Sequence, residues 1–131
     1  KRLAKKYVTA EKFVPKPVIQ TESSAAFGIM AFGSSDPAII EARDQFRKAG
    51  FQSNYCRVRA IPFTPEVQKF IEDNAQIFVV EMNRDGQMCQ LLQITYPQYA
   101  NKFIKICHMD GLPLTAKWIR ESIQTVKEVL P

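Results

Sequence analysis

The chain has 131 residues, of which 46% are hydrophobic, and this is enough to bury the core of one domain. No run approaches the roughly 18 apolar residues of a membrane span and no apolar signal segment opens the sequence, so we expect a cytoplasmic protein with no membrane partner. Because the sequence starts with Lys1 rather than Met, we also expect it to be a fragment of a longer polypeptide.

The net charge of +5 comes from the first seventeen residues, because the rest of the chain has equal numbers of basic and acidic residues. Residues 1–17 are therefore predicted to form a basic linker helix and connector, and residues 18–131 an α/β domain. Charge without a recognition motif is a weak indication of nucleic-acid binding, and we expect none. Cys56, Cys89 and Cys107 lack the spacing of zinc or iron–sulfur ligands, so they are predicted to be small core residues.

The first predicted element is a helix that ends at the connector Pro15-Lys16-Pro17. The residues that recur at helical spacing are Leu3, Tyr7, Val8, Glu11 and Val14. Val18 and Ile19 indicate a short edge strand. Residues 25–32 follow as a strand that is apolar on both faces.

A second helix is predicted to begin at Ser35 or Asp36, either of which could cap it, with Pro37 in the first helical position. Gly50 is a natural stop for this helix. The residues that should line its inward face are Ile39, Ala42, Phe46 and Ala49.

Three further units of a strand followed by a helix complete the chain. Strands are predicted over residues 51–58, 76–82 and 102–107, and helices begin at Thr64, at Asp85 and at Thr115. The apolar faces of these helices carry Val67, Phe70 and Ile71, then Met88, Leu91 and Leu92, and finally Ala116, Ile119, Ile123, Val126 and Leu130. This order predicts a three-layer αβα fold, in which a mostly parallel sheet of about five strands has helices on both faces.

At four points an apolar strand breaks into a polar turn. Right-handed crossovers should place all four junctions at the carboxyl edge of the sheet, where open α/β folds keep their ligand or partner sites. The candidate interface or edge-site residues are Gly33, Ser34, Ser35, Asp36, Arg57, Arg59, Glu81, Asn83, Arg84, Asp85, Gly86, His108, Asp110 and Gly111.

No catalytic residue is predicted at this edge. Cys107 and His108 are adjacent, and neighbouring strand residues point to opposite faces, so the two cannot share a proton if the strand runs through both. We expect His108 to be a loop residue hydrogen-bonded near Asp110. The Gly33 loop could hold an anion on its backbone N–H groups, but Asp36 would repel that anion, and a helix cap is the simpler interpretation.

Glu81 is unusual because a carboxylate at the end of an apolar strand must reach solvent or find a donor. In one interpretation Glu81 is a local brace whose donor is Arg84 or the N–H of Gly86. In the other, the turn from Glu81 through Asn83, Arg84 and Asp85 contacts another domain or a partner.

Four segments of the chain form a recognisable series. They are residues 33–38 (GSSDPA), 57–63 (RVRAIPF), 79–87 (VVEMNRDGQ) and 110–115 (DGLPLT). Together, and in this order, they resemble the C-terminal domain of the alpha subunit of 2-oxoacid:ferredoxin oxidoreductases, particularly the 2-oxoglutarate type. The resemblance extends over nearly the whole chain.

The resemblance implies a transketolase C-terminal-like domain in an enzyme that converts a 2-oxoacid to its acyl-CoA and CO2 and reduces ferredoxin. Thiamine diphosphate, magnesium, iron–sulfur clusters and coenzyme A are implied for the whole complex, and none of them for this domain. The implied partners are the preceding domain of the same subunit, the beta subunit and, indirectly, ferredoxin. The alternative is a free-standing α/β interaction or regulatory module that binds a small anion at the Gly33 loop.

Overall fold

The computed structural model describes residues 2–129, so Lys1 and the predicted core position Leu130 lie outside the described residues. The helices are α1 (Arg2–Ala10), α2 (Asp36–Lys48), α3 (Pro65–Asp73), α4 (Gln87–Thr95) and α5 (Ala116–Val129). The strands are β1 (Val18–Gln20), β2 (Ala25–Phe32), β3 (Gln52–Val58), β4 (Ile77–Glu81) and β5 (Phe103–Cys107), and short 3₁₀ turns cover Gly33–Ser35 and Pro97–Lys102.

The five strands form one sheet in the order β1-β3-β2-β4-β5. β2 pairs in parallel with both β3 and β4, and β4 pairs in parallel with β5. Only β1 is antiparallel among these strands, with Val18 opposite Arg57 and Gln20 opposite Tyr55. The predicted fold class, a mostly parallel five-stranded α/β sheet, is therefore confirmed.

The sheet separates two hydrophobic clusters, because alternate residues of a strand point to opposite faces. On β4, Phe78 and Val80 join the cluster under α2 and α5, whereas Ile77 and Val79 join the cluster under α3 and α4. The alternation continues to Glu81, which therefore points towards the α3 and α4 side. Thr115 caps α5 as predicted, because its Oγ1 accepts a hydrogen bond from the N–H of Trp118 at 3.2 Å.

The start of α2 differs from the prediction. Ser35 has helical dihedral angles and makes no side-chain cap hydrogen bond, because it is the last residue of a 3₁₀ turn that runs directly into the helix. The carboxylate of Asp36 is directed to Tyr55 and Arg57 instead. The predicted inward position Ala49 was also wrong, since α2 ends at Lys48 and Ala49 is exposed.

The end of α2 agrees with the predicted stop at Gly50. The N–H of Gly50 donates to Arg47 O at 3.0 Å, and the N–H of Phe51 donates to Phe46 O at 2.9 Å. This pair of bonds satisfies the last carbonyl groups of the helix. The first helix, in contrast, ends earlier than predicted, and residues 11–13 form turns after Ala10.

Candidate functional site

The four polar junctions lie at one edge of the sheet because β2, β3, β4 and β5 run in the same direction. The loop after β2 reaches the loop after β4, where Ser34 Oγ lies 3.8 Å from Met82 Sδ. The loop after β5 is joined to β4 by a 3.0 Å hydrogen bond from the N–H of His108 to the carbonyl of Glu81. The candidate residues are thus brought together, while their role as an interface stays a prediction.

Glu81 is fully buried at the end of β4. Its Oε1 accepts hydrogen bonds from the N–H of Met88 at 2.7 Å and from Asn83 Nδ2 at 2.9 Å, and its Oε2 accepts one from the N–H of Cys89 at 3.0 Å. The carboxylate therefore binds the free amides in the first turn of α4, where a negative charge is also favoured by the helix dipole. The predicted donors, Arg84 and the N–H of Gly86, were wrong.

The turn after β4 satisfies its own polar groups. Asn83 Oδ1 accepts from the N–H of Asp85 at 3.1 Å and from the N–H of Gly86 at 2.6 Å. This explains why the N–H of Gly86 is not available to Glu81. Arg84 is exposed, and its Nε donates to Asp85 Oδ1 at 2.7 Å.

Gly86 has a backbone conformation and a packing environment that exclude other residues. Its φ of +72° lies in the left-handed region, and a Cβ there would overlap the side chain of Lys105 and lie 3.2 Å from Cys107 Sγ. The backbone of the β4–α4 turn therefore rests directly on β5.

A second polar network joins β3 to the start of α2. Tyr55 is buried, and its hydroxyl donates to Asp36 Oδ1 at 2.8 Å, while Arg57 Nη1 lies 3.4 Å from Asp36 Oδ2. The pKa of the Tyr55 phenol is raised well above its usual range. Burial is the larger cause, and the hydrogen bond to Asp36 is the next. Sequence reasoning missed Tyr55, because alternation along β3 indicates only that this side chain points inward.

A cavity of about 350 Å³ lies next to this network and is lined by Val18, Gly33, Arg57, Val58 and Arg59. Arg59 Nη1 reaches only the carbonyl of Lys16, at 3.5 Å. An anion in this cavity would meet two guanidinium groups, but it would have to compete with the carboxylate of Asp36 for Arg57.

The loop after β5 holds His108 against α5. His108 Nε2 lies 2.9 Å from Asp110 Oδ2, as predicted, and the imidazole stacks on the indole of Trp118 with ring centroids 4.6 Å apart. The N–H of Leu112 and then His108 lower the pKa of Asp110. Burial raises the pKa of the Cys107 thiol, which is the reverse of what a thiolate nucleophile needs.

Metal ions and iron–sulfur clusters each require a particular set of side-chain ligands. Between residues 2 and 129 the structure contains no group of three or more His, Cys, Asp or Glu side chains that could hold a metal ion. Burial raises the pKa of Cys56 to about 12 and, together with Glu81, that of Cys89 to about 11. Both thiols are therefore core residues in character, and iron–sulfur ligation does not fit them. In the same part of the chain no helix has the length and apolar character needed to cross a membrane.

The similar proteins reported below are all described as 2-oxoacid or 2-oxoglutarate:ferredoxin oxidoreductases. The chain is 27% identical over 130 residues to "2-oxoacid:ferredoxin oxidoreductase 2, subunit alpha" of Aeropyrum pernix, a match that covers 95% of this chain and 20% of the relative. The chain thus spans about a fifth of the length of that relative. No protein-family model matches the chain.

Two solved structures have a similar fold. A 2-oxoglutarate:ferredoxin oxidoreductase from Magnetococcus marinus superposes with a TM-score of 0.72 at 20% identity, over 90% of this chain and 21% of the other. The alpha chain of a probable 2-oxoacid ferredoxin oxidoreductase from Thermoplasma acidophilum superposes with a TM-score of 0.55 at 22% identity, over 86% of this chain and 97% of the other. The α/β fold described above therefore also occurs in oxidoreductases of this class.

Proposed function

We propose that this chain is a domain of the alpha subunit of a 2-oxoacid:ferredoxin oxidoreductase, and specifically its C-terminal, transketolase C-terminal-like domain. The observation that carries the proposal is the similarity to an alpha subunit over 95% of the chain. The two structural neighbours support it through their shared fold. Nothing comparable favours the free-standing anion-binding module.

The proposed role of the domain is structural. The charged groups at the carboxyl edge are largely occupied within the chain, since Glu81 binds the amides of α4, Arg84 pairs with Asp85, and His108 pairs with Asp110. Charged groups that are already hydrogen-bonded or ion-paired within the chain are better placed to stabilise turns than to take part in catalysis. Oxidation of the 2-oxoacid to acyl-CoA and CO2, and reduction of ferredoxin, belong in this proposal to thiamine diphosphate, magnesium and iron–sulfur clusters on other domains or on the beta subunit.

We further propose 2-oxoglutarate as the substrate of the complete enzyme. The structural neighbour from Magnetococcus marinus is described with 2-oxoglutarate, coenzyme A and succinyl-CoA bound. The test is reduction of ferredoxin by the purified complex with coenzyme A and either 2-oxoglutarate, pyruvate or a branched-chain 2-oxoacid. Faster turnover with pyruvate or a branched-chain substrate would reject the 2-oxoglutarate assignment without affecting the rest of the proposal.

The complete open reading frame tests the domain assignment itself. A preceding segment of a few hundred residues with the pattern of a thiamine enzyme would support the proposal. A start codon immediately before Lys1 would reject it and would favour the free-standing module.

The 131-residue chain alone is predicted to show neither 2-oxoacid oxidation nor specific uptake of thiamine diphosphate with magnesium, because the described residues offer no metal-binding cluster. Calorimetric titration measures the uptake directly, and the complete complex is the positive control. Micromolar binding by the chain alone would contradict the accessory role.

A further inference from the structure

Exposed apolar side chains are concentrated at the carboxyl edge of the sheet. Each parallel strand carries, at its carboxyl end or in the loop that follows, at least one large apolar residue that is at least 36% exposed. These residues, which we call the edge patch, are Phe32 at the end of β2, Ile61 after β3, Met82 after β4, and Met109 and Leu112 after β5. The loops at the opposite edge have only Phe51 of this kind among residues 2–129.

The residues of the edge patch lie at neighbouring strand ends. Neighbouring strands of a sheet are about 4.8 Å apart, so the ends of β3, β2, β4 and β5 span roughly 15 Å in that order. The 3.8 Å contact between Ser34 and Met82 joins two of the loops directly. A contiguous exposed apolar patch with a polar surround is the usual form of a protein interface.

The charged groups beside the edge patch indicate the chemistry of its partner. Asp36 pairs with Arg57, Arg84 with Asp85, and His108 with Asp110, whereas Arg59 contacts the carbonyl of Lys16 and has no carboxylate partner among the described residues. Charges that are already paired within the chain offer little attraction to an ionic partner. The patch is therefore suited to an apolar protein surface rather than to a charged ligand.

The path of the chain indicates which protein surface would cover the edge patch. β1 is antiparallel to β3 and starts with Val18 opposite Arg57, so the chain enters the sheet from the carboxyl edge. The connector before β1 is held at this edge by the 2.6 Å ion pair between Lys16 and Glu66. Leu3, Tyr7 and Val8 of α1 are also exposed, so the approach to the domain is itself apolar.

We infer that the edge patch is the docking surface for the domain that precedes α1 in the same alpha subunit. The inference rests on the proposed function, in which this chain is one part of a longer subunit. In the Aeropyrum pernix relative, four-fifths of the length lies outside the matched region, which is ample to cover the patch. A domain joined through α1 is delivered to this edge by the connector, whereas the beta subunit or a second copy has to reach it by diffusion.

Hydroxyl-radical footprinting of the complete alpha subunit tests the assignment without relying on activity. Met82 and Met109 should be labelled severalfold more slowly than their exposure in the single domain predicts. Ile40 on α2 and Ile94 on α4 are exposed apolar side chains away from the edge, and they serve as internal references. Rates are compared after correction for the intrinsic reactivity of each residue type.

Each outcome of the footprinting has one meaning. Protection of Met82 and Met109 in the alpha subunit alone supports the inference. Full labelling, with and without the beta subunit, overturns it. Protection that appears only after addition of the beta subunit, or only as the concentration of the alpha subunit rises, assigns the patch to the beta subunit or to a second copy, and this also overturns it. An open reading frame that starts just before Lys1 rejects the proposed function as well, which distinguishes the two failures.

A matched pair of variants provides an independent test. Met109→Asp with Leu112→Asp changes two exposed side chains of the edge patch, and Ile94→Asp is the control on the outer face of α4. In the complete subunit the double variant should accelerate tryptic cleavage within residues 2–17 severalfold, because the docked domain no longer shields the connector. Equal cleavage rates in the double variant, the control and the unchanged subunit would contradict the inference.

Discussion

At the scale of single residues, the carboxylate of Glu81 connects the end of β4 to the start of α4. Its two oxygens accept hydrogen bonds from the amides of Met88 and Cys89, and it is fully buried. The sequence reveals that a carboxylate at the end of an apolar strand needs a donor. The sequence does not reveal which group is the donor, because this depends on how the turn after β4 orients the first backbone amides of α4.

Glu81→Gln is expected to destabilise the fold by about 1–3 kcal/mol, because one amide of α4 loses its acceptor while it remains buried. Urea unfolding followed by circular dichroism measures the change in the free energy of unfolding. Glu121→Gln on α5 is the control, since that carboxylate is more than half exposed. Equal stability of the two variants would mean that the carboxamide of Gln serves the start of α4 as well as the carboxylate does.

Gly86→Ala should cost more stability than Gly50→Ala. Both glycines have a positive φ, +72° and +84°, so Ala is strained by about 1–2 kcal/mol at either position. A Cβ at Gly50 meets no atom within 4 Å, whereas a Cβ at Gly86 overlaps Lys105, and such overpacking typically adds about 1–3 kcal/mol. Thermal unfolding of both variants gives the comparison. A similar loss at the two positions would show that Lys105 simply moves aside.

At the scale of secondary-structure elements, the core faces follow from the spacing of apolar residues. Ile119→Ala in α5 and Val79→Ala in β4 should each destabilise the protein by about 2–4 kcal/mol, since both side chains are fully buried and a cavity would remain. Lys5→Ala in α1 should be nearly neutral, because no described residue of α1 is buried. Denaturant unfolding of the three variants tests this order, and a large effect of Lys5→Ala would show that α1 packs on the domain.

The ends of elements were predicted less well than their faces. The boundaries of β2 agree with the prediction, because the apolar run from Ala25 to Phe32 stops at a glycine. The start of α2 does not agree with the prediction. Asp36 is of a residue type that often caps helices, but its carboxylate contacts Tyr55 and Arg57 instead. Those partners lie about twenty residues further along the chain, and local patterns contain no information on such contacts.

At the scale of the whole molecule, the order and direction of the strands place all candidate residues at one edge. Repeated strand and helix units were sufficient to predict that arrangement. The internal pairing of the charges there was only partly predictable. His108 and Asp110 are close in sequence and were expected to meet, whereas the pair of Asp36 and Arg57 joins two separate strand ends.

Arg84→Ala should have little effect on the chain alone, because the side chain is 76% exposed and contacts only its neighbour Asp85. In the assembled enzyme the same change should weaken subunit association or lower activity, if the turn after β4 forms part of an interface in which the charge is desolvated. The melting temperature of the chain and the assembly of the complete enzyme measure the two effects separately. Normal assembly and turnover of the variant enzyme would show that this turn stabilises only the local structure and is not part of an interface.

The antiparallel strand β1 has a consequence for how the molecule opens. Both of its large apolar residues, Val18 and Ile19, are more than a third exposed and belong to neither hydrophobic cluster. The strand has three residues, its backbone pairs with β3, and one side chain, Gln20, accepts a hydrogen bond from Arg43 on α2. Separation of residues 18–20 from β3 would leave both hydrophobic clusters covered, so this edge is expected to exchange its amide hydrogens faster than β2 and β4.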